Sequence, residues 1–401
     1  MKTIVYLIEQ PLSFWNYNRF GIQIWQDRGW NVEVWDLTQL LNNHVFEDFI
    51  NSGKEIQTFS GYFPIATEQQ LANKYQSIRN GTYYLDATGN DRPHARIKKR
   101  LAVLGVIRIM SYLGYSPPPI YSGGRTSDKL VDRIVFRLGL LLKVGPVNAI
   151  LWVINRVRAK LASLSFKPGV IVVSGEKSIP NNVGSASIVC AHNLDYDLFL
   201  KLNGASSLFE LIQKPYAVFL DQDVCFHSDF LFKFEEPPVK PEDYFPRLCS
   251  VLRDVSDSLG YSICVAGHPR TARSKKYIDY FDGIRVEYGV TAELVKNSSV
   301  VICHNSTAIQ LAVLFKKPLI FISHEKLNKL DMGKHIPVMA KELGKSVIYY
   351  DNDTSNVDWL GELKINNKKY TEYKRKYIKM DDTPEKQSWD IVIDHLEQSN
   401  E

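Results

Sequence analysis

Short, dense apolar runs alternate along the chain with longer stretches in which apolar residues recur every three or four positions. Residues 2–8 (KTIVYLI) are nearly uninterrupted, as expected of a strand buried on both faces. A polar turn from Glu9 follows, then a helix around Phe20–Arg28 that ends at Gly29. Residues 31–37 (NVEVWDL) alternate as a second strand. This rhythm predicts a parallel sheet with crossover helices. KEIQTFS (54–60) and the stretch near Gln69–Arg79 are expected to continue it. PGVIVVSG (168–175) and SIVCAHN (187–193) read as buried strands, the second followed by the helical pattern LDYDLFLKL. A second series opens at PYAVFLD (215–221). Helix EDYFPRLCSVLRDVSDSLG, strand YSICVAG, helix TAELVKNS, strand VVICH, helix STAIQLAVLFKK and strands PLIFIS and SVIYYD follow.

Two such series in 401 residues predict two α/β domains, each a Rossmann-like doubly wound sheet, facing a central cleft. The first is expected over 1–205 and the second over 206–385. A terminal helix within 386–401 is expected to pack back on the first.

Residues 88–130 break the rhythm. TGNDRPHAR and GYSPPPIYSGGRTSD carry Pro and Gly clusters that mark loops. Between and after them lie KKRLAVLGVIRIMSYLGY and DRIVFRLGLLLKVGPVNAILWVINRVRAKLASL, in which Arg and Lys punctuate apolar residues at helical intervals. Charge matters here: residues 96–160 hold thirteen Lys and Arg against Asp128 and Asp132, while the whole chain carries only +5. Crossover helices with solvated basic faces and interfacial helices on an anionic membrane both fit this pattern. No apolar run reaches the ~18 residues of a spanning helix. The first run, broken by Glu9, Gln10 and Pro11, reads as a strand rather than a cleavable signal. Five cysteines without a CxxC pair predict buried thiols and a cytoplasmic chain. With 45% hydrophobic residues, global disorder is excluded. The basic segment is aliphatic rather than interleaved with stacking aromatics, so nucleic acid is not an expected partner. P-loop, zinc-site and HExxH patterns are absent, and no GxGxxG follows the first strand.

Candidate chemistry collects in loops that follow strands. CHNSTA (303–308) sits between a strand and a helix, with Ser306 or Thr307 at the helix cap and His304 and Asn305 beside them. Free amides and hydroxyls there suit an anion, and a plain N-cap is the simpler alternative. AGHPRTAR (266–273) places His268 and Arg270 after another strand, groups that can hold or protonate a phosphate. LDQDVCFHSD (220–229) offers Asp221 and Asp223, either of which can deprotonate a hydroxyl. Their spacing also occurs in metal-binding sugar transferases, but the metal-free reading is preferred because His and Arg already supply positive groups. In GVTAELVKNS, Thr291 is expected to cap a helix and Glu293 to bind a sugar or ribose hydroxyl, or simply to support the helix start. In the first domain, EQPLSFWNYNR sets Glu9, Asn16 and Arg19 among aromatics, a mixture suited to sugars.

The order D-x-D, HPR, then His-x-Ser-Thr before an apolar helix resembles bacterial surface-polysaccharide glycosyltransferases of the GT-B type. It is most similar in motif order to sialyltransferase-like and Kdo-transferase-like enzymes. The matching residues are Asp221 and Asp223, His268 and Pro269, and Ser306 and Thr307. The resemblance covers about residues 215–325. It implies an Asp base, a His on the donor phosphate, hydroxyls that bind that phosphate, no required cofactor or metal, and a nucleotide-sugar co-substrate. A CMP-linked acidic sugar is one candidate donor. The acceptor would be a surface glycan such as O-antigen or capsule, lipid-linked at the inner membrane face if the basic segment binds there. Val224 stands where the family's acidic motif ends in Gly, so Glu9 or another first-domain acid stays open as the base. The same Ser/Thr and His-Pro pair also resembles teichoic-acid-type transferases that move alditol phosphate from a CDP donor. A non-catalytic glycan- or membrane-binding protein on this fold is the remaining alternative.

Overall fold

The computed structural model describes residues 2–89, 92–118, 167–203, 215–226, 237, 239–268, 280–328 and 331–398. Arg270, most of the basic segment 96–160 and the boundary expected at 205/206 lie outside them. The chain forms two compact units. The first comprises Met1–Ser111, Tyr121–Val172 and Asn181–Val189. The second comprises Tyr112–Ile120, Val173–Pro180 and Cys190–Glu401.

The first unit is built on β1 (Thr3–Ile8), β2 (Asn31–Asp36), β3 (Tyr62–Pro64), β4 (Tyr83–Ala87), β5 (Ile107–Ser111), β6 (Val170–Val173) and β7 (Ser187–Cys190). Its helices are α1 (Phe14–Arg19), α2 (Ile22–Asp27), α3 (Thr38–Leu41), α4 (Asn43–Asn51), α5 (Glu68–Ser77) and α6 (Arg92–Val103). The strand order is β3-β2-β1-β4-β5-β6-β7, with β3 through β6 paired in parallel.

The second unit holds β8 (Tyr216–Leu220), β9 (Ser262–Ala266), β10 (Arg285–Glu287), β11 (Val300–Cys303), β12 (Leu319–Ser323) and β13 (Val347–Tyr349). Its helices are α7 (Leu194–Asn203), α8 (Pro241–Leu259), α9 (Thr291–Asn297), α10 (Ile309–Leu314), α11 (Glu325–Asn328), α12 (Asp331–Glu342), α13 (Asn367–Tyr373) and α14 (Ser388–Gln398). Its parallel strands run β10-β9-β8-β11-β12-β13. Both sheets therefore grow outward from their first strand in one direction and then reverse at the fourth. Such reversals, at β1/β4 and β8/β11, are where open α/β sheets bind ligands, beyond the strands' carboxyl ends.

Pleating explains the apolar runs. In β8, Ala217 and Phe219 enter the core shared with Tyr244, Phe245 and Leu248 of α8. Val218 and Leu220 point to the opposite core with Leu294 of α9 and Leu311 of α10. Both faces are covered, so each strand reads as continuously hydrophobic.

Several expectations need correction. The turn after Glu9 contains α1, because Ser13 caps it by accepting the Asn16 N–H at 3.2 Å. The third strand lies at 62–64, not 54–60, and the capping box of Thr67 and Gln70 starts α5. The first basic stretch is not one helix. It ends at Val103, turns at Gly105 (φ +72°), and continues as β5. The expected terminal helix is present as α14, where the Ser388 N–H donates to Asp197 Oδ1 at 2.8 Å. Among the described residues no helix is long and apolar enough to cross a membrane.

Candidate functional site

In the second unit, β8 pairs with both β9 and β11, and Leu220 lies level with Ala266 and Cys303. The loops leaving these three strands are therefore neighbours. Asp221 ties two of its surroundings together: Oδ1 accepts the Asp223 N–H at 3.1 Å and Oδ2 accepts the His268 N–H at 3.2 Å. Gln222, which the sequence reading passed over between its two acids, grips the third loop. The Asn305 N–H donates to Gln222 Oε1 at 2.9 Å, and Gln222 Nε2 donates to Asn305 Oδ1 at 2.5 Å. Asp223 is 2% exposed and sits at φ +57°, a left-handed conformation costly for a side-chain-bearing residue. Gly267 is required beside His268, because a Cβ there would lie 2.3 Å from the Tyr288 ring. The structure thus brings Asp221, Asp223, His268 and Asn305 together at one switch point.

The turn after Asn305 differs from the expected cap. α10 begins at Ile309 with Ala308 as its N-cap residue. The carbonyls of Ser306 and Thr307 accept the N–H groups of Ile309 and Gln310 at 3.2 and 3.1 Å, and Ser306 Oγ accepts that of Ala308 at 3.3 Å. Among the described residues no acceptor meets the backbone N–H of Ser306 or Thr307. Two adjacent amides and two hydroxyls are thereby left for a ligand with acceptor oxygens. Thr291 is likewise not a cap: Val290 holds that position, and Glu293 stands half-buried in the first turn of α9.

His304 turns into the core rather than out of the loop. It is 1% exposed and both ring nitrogens are used: Nδ1–H donates to the Ile322 carbonyl at 2.7 Å, and Nε2 accepts from the Tyr244 hydroxyl at 2.9 Å. Burial pushes its pKa down from 6.5 to about 4, with His324 adding to the shift and the Ile322 bond opposing it. Unfolded, the ring protonates near its ordinary 6.5, so this contribution is full above that pH and is lost as pH falls toward 4. Wild type is expected to lose about 2–3 kcal/mol more between pH 7 and 4.5 than His304→Gln does. Urea melts of both proteins at the two pH values test this, and equal losses would contradict it.

At the β1/β4 switch point of the first unit, Glu9 follows β1, whose Ile8 pairs with Ala87 of β4. Glu9 Oε2 lies 2.7 Å from His94 Nε2 and 3.5 Å from Asn42 Nδ2. Oε1 has no hydrogen-bond partner among the described residues, and the side chain is partly open to solvent. Both side chains lie over Gly89, where a Cβ would stand 3.4 Å from the His94 ring and 3.7 Å from Glu9 Oε1. His94 escaped the sequence reading because 88–96 looked like loop. Pro93 was the available signal, since Pro is favoured in a helix's first turn. Asn16 and Arg19 lie on α1, away from this pair in sequence. The Arg19 guanidinium stacks 4.8 Å from the ring of exposed Trp15.

These two sheets and their switch-point loops define a two-domain, Rossmann-like α/β protein of the GT-B fold class. No family model matches the chain, and no characterised protein is similar to it in sequence. Among solved structures, S. aureus MnaA bound to UDP is similar over 100% of this chain and 97% of its own, with 13% identity and a TM-score of 0.51. The wall teichoic acid polymerase TagF, soaked with CDPG, is similar over 100% of this chain and 90% of its own, with 10% identity and a TM-score of 0.51. At such identities the likeness is one of fold.

Proposed function

We propose that the chain is a glycosyltransferase that moves a sugar from a nucleotide-sugar donor to a glycan acceptor. The observation that carries this reading is the pair of unpartnered amides and adjoining hydroxyls at Ser306 and Thr307, at the switch point where the loops of Asp221 and His268 also leave the sheet. These groups suit the donor's phosphate oxygens, where charge grows as the sugar leaves. Thr291 and Glu293 begin the helix after β10 on the same sheet edge and suit donor hydroxyls. Asp221 and Asp223, first expected as the base, are buried, and Asp221 is committed to two backbone amides. This reading therefore assigns the base to Glu9. The base takes the acceptor hydroxyl's proton as that oxygen bonds the sugar's anomeric carbon. The bond from that carbon to the phosphate oxygen breaks, and the electron pair stays on the phosphate. Work at a surface glycan on the inner membrane face, with no cofactor beyond the donor, belongs to the same proposal.

A thermal-shift panel of CMP, CDP, UDP, GDP and dTDP tests it. A nucleotide at a hundredfold excess over its dissociation constant stabilises by about 2.7 kcal/mol, a rise of several degrees. Thr307→Val combined with Ser306→Ala should reduce the rise. A panel that leaves the melting temperature unmoved would overturn the proposal.

The likeness to TagF favours one second reading, transfer of an alditol phosphate from a CDP donor. A phosphodiester in the product, in place of a glycosidic bond, would select it.

A further inference from the structure

In the first unit a groove of about 420 Å³ runs between α5 and α6. Leu71, Tyr75 and Ile97 form its floor, and Val103, 70% exposed, forms an apolar lip. Its rim is cationic. Arg96, Lys99 and Arg100 line it on the outer face of α6, and all three are exposed. The one acid in the lining, Glu68, is paired with Arg96 at 3.1 Å. Lys99 and Arg100 have no acidic partner among the described residues. Lys98, on the same helix, plays no part, since it turns inward to Asp86 at 2.8 Å.

We propose that this groove docks the protein on a membrane by seating an anionic phospholipid. The apolar floor and lip take acyl chain, and Lys99 and Arg100 hold the headgroup phosphate. The sign of the rim chooses the occupant. A neutral apolar partner leaves two unpaired cations at its edge. The chain's own segment 119–166 carries eight Lys and Arg against two Asp, so it shares the rim's charge and is disfavoured. A single-stranded nucleic acid needs an open aromatic face to stack on. Half-buried Tyr75 is the single aromatic among the groove's lining residues, too few for successive bases to stack on. Lysine and arginine beside exposed aliphatics match an anionic bilayer surface.

The test is co-flotation of the full chain with vesicles of phosphatidylcholine, with and without phosphatidylglycerol. The protein should float only with the anionic vesicles and should release as salt rises. Each neutralised charge should weaken partitioning about fivefold, so Lys99→Gln with Arg100→Gln should lose roughly 25-fold. Val103→Ser, at an exposed position, should weaken it further without disturbing the fold. Equal flotation on both vesicle types, no flotation at all, or a double variant that floats like wild type would each overturn the proposal. Binding to an acidic peptide but not to vesicles would overturn it as well. The nucleotide-dependent thermal shift should survive in the double variant, so failure here and failure of the transferase reading are separately visible.

Discussion

Glu9→Gln is expected to lower transfer about 10²–10⁴-fold, the usual worth of a positioned general base. The substitution keeps size and one acceptor oxygen for His94, and removes the charge and the ability to take a proton. Glu9 stands directly after β1 with one carboxylate oxygen engaged by His94 and the other open. His94 is a positioning residue in this account: a 2.7 Å bond from a ring packed against Gly89 fixes the carboxylate's direction. His94→Gln should therefore cost less in turnover than Glu9→Gln, because the carboxylate keeps its proton-accepting oxygen and loses only its fixed direction. The thermal shift with the best nucleotide should be unchanged in Glu9→Gln, since the groups proposed to hold the donor lie in the second unit. Wild-type transfer by Glu9→Gln would return the base role to Asp223. Loss of the nucleotide shift along with activity would mean that the variant had damaged more than proton transfer.

Asp86→Asn should destabilise the first unit by about 3–5 kcal/mol, because removing one partner of a buried ion pair exposes the others to an unpaid desolvation cost. Asp86 Oδ2 lies 2.8 Å from Lys98 Nζ and 2.5 Å from Arg108, and all three side chains are buried. Oδ1 accepts the Thr88 hydroxyl at 2.8 Å, and Lys98 Nζ donates to the Gly89 carbonyl at 2.6 Å. Burial pulls the Lys98 ammonium below its ordinary pKa, and Asp86 is the main force opposing that. Adding Lys98→Met to Asp86→Asn should recover part of the loss, as expected for coupled neighbours. Thermal melts should fall by roughly ten degrees for the single change. A melt unaffected by Asp86→Asn would show that the cluster is not under this constraint. The same cluster holds the Thr88–Gly89 turn on which His94 rests, so the variant should also lose activity before it unfolds.

The parts of the fold legible in sequence are those buried on both faces. Runs such as 2–8, 168–175 and 215–221 can be little else. β4 and β5 were not legible because they carry Asp86 and Arg108, charges that look like surface until each is seen to satisfy the other. The beginning of α6 was hidden by Pro93, a residue that breaks helices everywhere but in their first turn. The candidate site was legible as a set of strand exits, which fixes its location but not the direction of its side chains. His304 reads as a ligand-binding residue in sequence. Its partners are Ile322 on a neighbouring strand and Tyr244 sixty positions away. The Glu9–His94 pair spans 85 positions, and no local pattern announces it.

The second unit is assembled from Tyr112–Ile120, Val173–Pro180 and Cys190–Glu401. The first of these stretches is bonded into it: the Tyr115 carbonyl accepts from Gln310 of α10 at 3.4 Å, and the Pro117 carbonyl meets His335 of α12 at 3.0 Å. The Ser174 hydroxyl, from the second stretch, lies 3.3 Å from the Tyr377 carbonyl. A gene fragment starting near residue 206 would therefore encode a half with polar seams where these strips belong. A single cut in the gene cannot carry all three stretches of this unit together. A change in what the second unit's loops hold is thus reached more simply by point substitution than by exchange of one continuous cassette.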